Sequence, residues 1–317
     1  MNVLITGAFG YLGGRISRHL ADQDGLFLRL CTRRRDFPAP DWLRSGELVP
    51  AEFPGTDPAA LCEGVNAVVH LAALNENDCA ADPARAFQVN TAGTWALLQA
   101  ARKAGAERFI FFSTARVYRE PLEGRVDETQ APRPVHPYGT THRAAEDPVL
   151  AAHDRMELCG VVLRLSNGFG APLDAAVNRW TLLVNDLCRT VVREKRIVLK
   201  SHGLQPRNFI TLEDVARAVE YFLGLPRPAC GDGLFNLGGE ASASVLAMAQ
   251  LVAQRCKEVL GFEPPIERPV PKPDEAVPTL DYRIDKLKST GFALQGSWER
   301  EVDDTLRLCA RAFGGPA

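Results

Sequence analysis

The chain is expected to fold as an α/β protein, a doubly wound parallel sheet with a smaller, interleaved C-terminal lobe, on three observations. The first is a set of five apolar runs, VLIT (3–6), LFLRLC (26–31), AVVHLAA (67–73), RFIFFST (108–114) and GVVLRLS (160–166), separated by stretches of helix length. Runs apolar on both faces belong to a parallel sheet covered by helices. Right-handed crossovers then place a ligand crevice at the strands' carboxyl ends. The second is the glycine triplet Gly7, Gly10 and Gly13, which directly follows the first run and opens a helix. The third is a change of pattern beyond residue 167, where helix-like stretches such as 176–194 alternate with short apolar pieces and the proline-rich stretch 263–278 has little periodicity. The run FITLEDVARAVEYFLGL (209–225) reads as a short strand and a helix, with Thr211 as the cap for the turn holding Glu213 and Asp214. It is assigned back to the sheet. The expected division is a dinucleotide-binding Rossmann domain of 1–167 with 205–238, and a substrate lobe of 168–204 with 239–317.

With 317 residues, 46% hydrophobic and 24% charged, the chain is long enough to bury a sizeable core and ordinary enough to be globular. No run reaches the roughly 18 consecutive apolar residues that a membrane span needs. A formal net charge of -2 offers nucleic acid no general attraction, and the short cluster Arg33-Arg34-Arg35 asks for a local explanation. Eight cysteines are scattered without a C-x-x-C pair, which suggests neither a zinc site nor a disulfide framework, so no metal is expected. Reduced thiols, and a first strand that occupies residues 1–7 in place of a signal segment, lead to the expectation of a cytoplasmic protein.

In the strand–turn–helix context of VLITGAFGYLGG the three glycines have a physical purpose. Missing side chains let the backbone approach a pyrophosphate, while the helix N-terminus supplies N–H donors and the positive end of its dipole. Phe9, Tyr11 and Leu12 in the same loop are assigned to the cofactor site. The second run ends LCTRRR, where a carboxylate would ordinarily accept a hydrogen bond from the adenine ribose 2′-hydroxyl of NAD. Thr32, Arg33 and Arg34 stand there instead. A guanidinium grips a 2′-phosphate bidentately, so NADP(H) is expected over NAD(H).

Further along stand HLAA (70–73), NTAGTWALLQAA (90–101), FFSTARVY (111–118) and PYGTTHRAAE (137–146), followed by VVLRLSNGFG (161–170), QPRNFITLEDVARAV (205–219) and FNLGG (235–239). In this order and spacing the chain closely resembles the extended short-chain dehydrogenase/reductase family, of the NAD-dependent epimerase/dehydratase type. That family includes sugar-nucleotide epimerases, dehydratases and ketoreductases. The resemblance implies Tyr138 as the catalytic acid/base and Thr114 as the hydroxyl that binds the reacting oxygen, with its neighbour Ser113 as a second candidate. It places Leu71, Ala72, Ala73 and Asn90 at the cofactor, and Asn167, Arg207 and Lys272 at the diphosphate of a nucleoside-diphosphate sugar. It also implies a homodimer.

The resemblance fails at one position. The family has a lysine four residues after its tyrosine, and this chain has His142, which shares a helix face with Tyr138 at i,i+4 and is assigned to both the catalytic and the cofactor site. A histidine with an unperturbed pKa of about 6.5 is charged only in part at neutral pH, and Glu146, one further i,i+4 step along, would raise that pKa if the pair forms. A cationic His142 and a neutral one that donates a hydrogen bond to the nicotinamide ribose are both left open. An epimerase or dehydratase begins by removing a hydroxyl proton and needs tyrosinate, whereas a ketone reductase begins with neutral tyrosine donating a proton. Losing the lysine charge penalises the first more. Together with the NADP expectation this favours an NADPH-dependent reductase of a keto group on a nucleotide-linked sugar. The alternatives are an NAD(P)-dependent sugar-nucleotide epimerase or dehydratase, and a cofactor-binding protein with little or no turnover.

Overall fold

The computed structural model describes residues 1–33, 37–271 and 277–314. Its first half alternates strand and helix: β1 (Asn2–Thr6), α1 (Tyr11–Leu20), β2 (Phe27–Thr32), β3 (Gly46–Pro50), α2 (Pro58–Cys62), β4 (Ala67–His70), α3 (Glu76–Ala81), α4 (Pro83–Ala86), a π-helical turn (Phe87–Ala92), α5 (Gly93–Lys103) and β5 (Arg108–Thr114). A 3-10 turn (Ala115–Val117) leads to β6 (Gly124–Val126), α6 (Pro137–Asp154), β7 (Cys159–Leu165) and β8 (Asn167–Phe169). The remainder comprises α7 (Leu183–Glu194), β9 (Ile197–Val198), β10 (Pro206–Thr211), α8 (Leu212–Gly224), β11 (Leu234–Leu237), β12 (Ser242–Ser244), α9 (Val245–Leu260), β13 (Ile266–Glu267), β14 (Leu280–Tyr282), α10 (Asp285–Ser289) and α11 (Trp298–Phe313).

Seven parallel strands form the main sheet in the order β11-β7-β5-β4-β1-β2-β3, the doubly wound arrangement expected from the apolar runs. Alternation along each strand explains how both faces are filled. Val3 and Ile5 join one core with Ile16, Leu28, Val69, Ile110, Val161 and Val219, whereas Leu4 faces the other with Val68, Leu97, Phe109 and Val162. Two strands were not foreseen among the five runs, β3 and β11. The β3 residues, on the sheet edge, are exposed or half-buried, so GELVP carries no continuous apolar signal. The chain winds outward from β1 through β2 to β3, then returns to β4 on the opposite side. This reversal puts the topological switch point, and the crevice, at the carboxyl ends of β1 and β4.

A third core gathers Phe169, Leu187, Val191, Met248, Val252 and Leu306 from β8, α7, α9 and α11. Beside it lies a three-stranded sheet in the order β12-β10-β8. Residues 280–292, grouped above with the substrate lobe, insert Tyr282, Ile284, Leu287 and Phe292 into the first sheet core instead. Thr211 caps α8 as expected, accepting from the Asp214 N–H at 3.0 Å. Among the described residues no helix is long and apolar enough to cross a membrane. All eight cysteines are free and buried.

Candidate active site

The glycine loop is built for close approach. Gly7 has φ +66°, a left-handed conformation that a side chain would strain, and a Cβ there would stand 3.1 Å from the Leu71–Ala72 backbone. A Cβ on Gly13 would stand 2.0 Å from the Gly7 carbonyl oxygen, so α1 packs against the loop with no room for a methyl group. Gly10 caps α1 without any side-chain hydrogen bond, and no acidic side chain occupies the first turn. Helix geometry leaves the N–H groups of that turn without partners, facing the switch point. The residues present therefore fit a dinucleotide pyrophosphate. Thr6, which pattern reading passed over, locks the two walls of the crevice together. Its hydroxyl oxygen accepts from the Leu71 and Ala72 N–H groups, each at 3.1 Å.

That hydroxyl donates in turn to His70 Nδ1 at 2.7 Å, His70 Nε2 donates to Thr94 Oγ1 at 3.0 Å, and Thr94 donates to the Asn90 carbonyl at 2.5 Å. The chain of donors requires a neutral His70. Burial, and then the neighbouring His142, hold its pKa down at about 3. Asn90 sits in the π-helical turn, a geometry that recurs at functional sites. Its Oδ1 accepts from the Leu74 N–H at 2.8 Å and its Nδ2 donates to Thr141 Oγ1 at 3.0 Å, so it fixes the loop after β4 against α6.

The other cofactor candidates divide. Phe9 packs edge-on against Phe37 with ring centroids 4.7 Å apart, and Leu12 is half-buried in the first core. The Tyr11 hydroxyl donates to the Gly170 carbonyl at 2.9 Å, so its side chain anchors α1 to the second lobe and only its backbone, in the first turn of α1, is left for a cofactor. Thr32 ends β2 buried, and Arg33 follows it exposed. Arg34 and Lys272 lie outside the described residues.

Tyr138 is the second residue of α6, held there by Pro137 at the first helical position and by His136, whose Nδ1 accepts from the Tyr138 N–H at 3.1 Å. Its ring and that of His142 are 4.2 Å apart, as the i,i+4 spacing requires. His142 is 2% exposed, stacked between Tyr138 and Phe111. Its Nδ1 lies 2.8 Å from the Tyr138 carbonyl. A carbonyl only accepts, so Nδ1 carries the hydrogen. In a neutral ring Nε2 is then an acceptor. Burial lowers the His142 pKa and outweighs the opposing effects of that hydrogen bond and of Glu146 and Glu76, so the imidazole is neutral at neutral pH. His142 is thus neither the cation nor the Nε2 donor that a lysine would be.

Glu146 is diverted elsewhere. It is fully buried and takes two bonds from Arg164, Nε at 3.0 Å and Nη2 at 2.7 Å, and one from Ser113 Oγ at 2.5 Å. The Ser113 proton is committed to this carboxylate, which removes Ser113 as a candidate for the reacting oxygen. Thr114 Oγ1 accepts from the Arg116 N–H at 3.2 Å, and its own O–H remains as a donor. Burial raises the Tyr138 pKa well above its ordinary value, and the Glu76 charge adds to the rise.

Glu76, Arg116 and Arg179 were missed in the sequence: Arg116 stands within FFSTARVY, where the hydroxyls drew the reading, and Glu76 and Arg179 carry no spacing that ties them to it. Arg207, on β10, is exposed and close enough to feel the Arg116 charge. Loss of water, and then repulsion from Arg116, lower its pKa. Asn167 ties β8 to β10 instead, its Nδ2 donating to the Asn208 carbonyl at 2.8 Å. Among the described residues no group of three or more His, Cys, Asp or Glu could hold a metal ion.

A model of the NAD dependent epimerase/dehydratase family matches residues 3–238. The chain belongs to that family. It is 29% identical to the dTDP-D-glucose 4,6-dehydratase of Bos taurus over 260 residues, 79% of this chain and 69% of that protein. The fold resembles the UDP-N-acetylglucosamine 4-epimerase of Methanobrevibacter ruminantium M1 with a TM-score of 0.81 at 20% identity, covering 97% of each chain. It also resembles MoeE5, solved in complex with UDP-glucuronic acid and NAD, with a TM-score of 0.80 at 24% identity, covering 99% of this chain and 100% of that one.

Proposed function

We propose that the chain is an NAD-dependent sugar-nucleotide epimerase that works at C4 of a nucleoside-diphosphate hexose. The observation that carries the substrate class is the charge of the cleft. Arg207 feels the like charge of Arg116 more than the opposite charge of Glu120, and among the described residues it has no carboxylate within ion-pair distance, so an anion is its natural partner. Relatives named as a 4-epimerase and a 4,6-dehydratase both point to C4. When bound, NAD would supply the oxidation of a sugar hydroxyl and its reversal. The glycine loop would hold its pyrophosphate, Thr114 would donate to the reacting oxygen, and Tyr138 would take and return the proton.

This places the epimerase alternative ahead of the NADPH-dependent ketoreductase, for which the relatives give no support. Protonated Tyr138, and Arg33 exposed after β2, are the features in the reductase's favour. Dehydration would in addition need a base for the C5 proton and an acid for the departing C6 hydroxyl. The carboxylate beside Tyr138 is Glu76, already engaged by two arginines.

The test is incubation with NAD and UDP-glucose, UDP-N-acetylglucosamine, UDP-glucuronate or dTDP-glucose, with chromatography of the products. A C4 epimer is expected, and Arg207→Ala should weaken sugar-nucleotide binding by about 1.5–3 kcal/mol while sparing NAD. Stoichiometric NADPH consumption on a 4-keto sugar, with no epimer formed, would sink the proposal.

A further inference from the structure

Tyr138 lies among charges delivered by three separate parts of the chain. Glu76 opens α3, Arg116 belongs to the 3-10 turn after Thr114, and Arg179 precedes α7 in the other lobe. The carboxylate bridges both arginines, with Oε1 3.8 Å from Arg116 Nε and Oε2 3.5 Å from Arg179 Nη1. The 3-10 turn is pressed against the first turn of α6: a Cβ built on Gly139 would stand 2.6 Å from the Arg116 carbonyl oxygen. Arg116 is further compensated by Glu120 at 2.5 Å, whereas the carboxylate within reach of Arg179 is Glu76. On α6 itself, the group facing Tyr138 is the neutral His142. Beyond burial, Glu76 and more weakly Cys79 hold the phenol protonated, while Arg179 and then Arg116 favour its ionised form.

We infer that Arg116 and Arg179, tethered to Glu76 against the first turn of α6, are positioning residues that supply near Tyr138 the positive charge that His142 does not. The inference rests on the epimerase reading, which requires tyrosinate. Bridging by one carboxylate fixes two long side chains and leaves Arg179 without a close hydrogen bond to it, so Arg179 is the stronger of the two sources and Arg116, bonded to Glu120, the weaker. A sugar that fills the cleft excludes water and strengthens the attraction of both arginines for the phenolate.

The experiment titrates Tyr138 in protein loaded with NAD, reading tyrosinate as ultraviolet difference absorbance against the same protein carrying Tyr138→Phe. Arg179→Gln and Arg116→Gln should each raise the midpoint by about one pH unit, and Glu76→Gln should lower it by a similar amount. Arg179→Lys should keep the wild-type midpoint, and adding His142→Lys to Arg179→Gln should restore it. The basic limb of the pH–rate profile on a sugar nucleotide that turns over should move in parallel. Unchanged NAD affinity checks that each variant is folded. Coincident midpoints in all three neutralising variants overturn the inference, even in an active epimerase. Failure to turn over any sugar nucleotide sinks the epimerase reading, and the absorbance titration still decides the role of the charges.

Discussion

Replacing Glu146 by alanine is expected to cost about 3–5 kcal/mol of stability, the range for breaking one side of a buried ion pair. The carboxylate is fully buried, and besides its bonds from Arg164 and Ser113 it receives Arg143 Nη1 at 3.2 Å. Arg164 is 2% exposed, and among the described residues its Nη1 has no hydrogen-bond partner even with Glu146 in place. Without the carboxylate, the guanidinium keeps the Tyr118 ring, 4.6 Å from its carbon. A cation–π contact worth roughly 2 kcal/mol does not offset a buried unpaired charge. Combining Glu146→Leu, Arg164→Met and Ser113→Ala removes both charges and the hydroxyl, and should recover most of the loss. Urea unfolding measures each variant. The same cluster separates the two hydroxyls after β5. Ser113→Ala should lose about 1.5–3 kcal/mol of stability with turnover largely kept, because its bond is to a carboxylate. Thr114→Val, which loses only the cap bond from the Arg116 N–H, should cost about 1 kcal/mol of stability and lower kcat by about 100-fold. A loss under about 1 kcal/mol for Glu146→Ala would refute the reasoning about the ion pair, and an exchange of the Ser113 and Thr114 phenotypes would refute the assignment of roles.

Arg33 is exposed directly after β2, so Arg33→Asp should weaken whatever NADP binding the protein has by about 1.5–3 kcal/mol and leave NAD unharmed; unchanged NADP affinity in that variant would remove Arg33 as a phosphate partner. His70 has its pKa depressed in the fold to about 3, against about 6.5 when unfolded, so the stability it contributes is complete above the unfolded value and is lost as pH falls. Between pH 7 and pH 5 the protein should lose about 2 kcal/mol from this residue, a slope that His70→Gln should flatten. Equal stability at the two pH values would show that His70 is not held neutral.

The sheet was legible because its signal is local. Each run of apolar residues is one strand, the glycine triplet can only be satisfied by a strand–turn–helix, and Thr211 announces α8 by its own chemistry. The edge strand β3 escaped because an edge needs little apolar surface, and residues 280–292 were misplaced because Tyr282 and Ile284 reach the first core across a long stretch of chain. Tyr11 was drawn to the cofactor by its place in the glycine loop. Its ring is instead buried against the other lobe, which no spacing within the loop reveals.

Site chemistry was less legible, since protonation depends on partners from distant segments. The i,i+4 rule correctly paired the rings of Tyr138 and His142 and offered Glu146 as the next step along the helix. Glu146 meets Arg164 of β7 first, and a bidentate guanidinium outcompetes an imidazole already buried under Phe111. The histidine that replaces the family's lysine is therefore neutral, for reasons that lie on β5 and β7 and not on α6. It follows that His142 alone does not set the direction of the reaction. The phenol's readiness to give up its proton is governed by burial, Glu76 and the two arginines, groups placed by three segments outside the tyrosine motif.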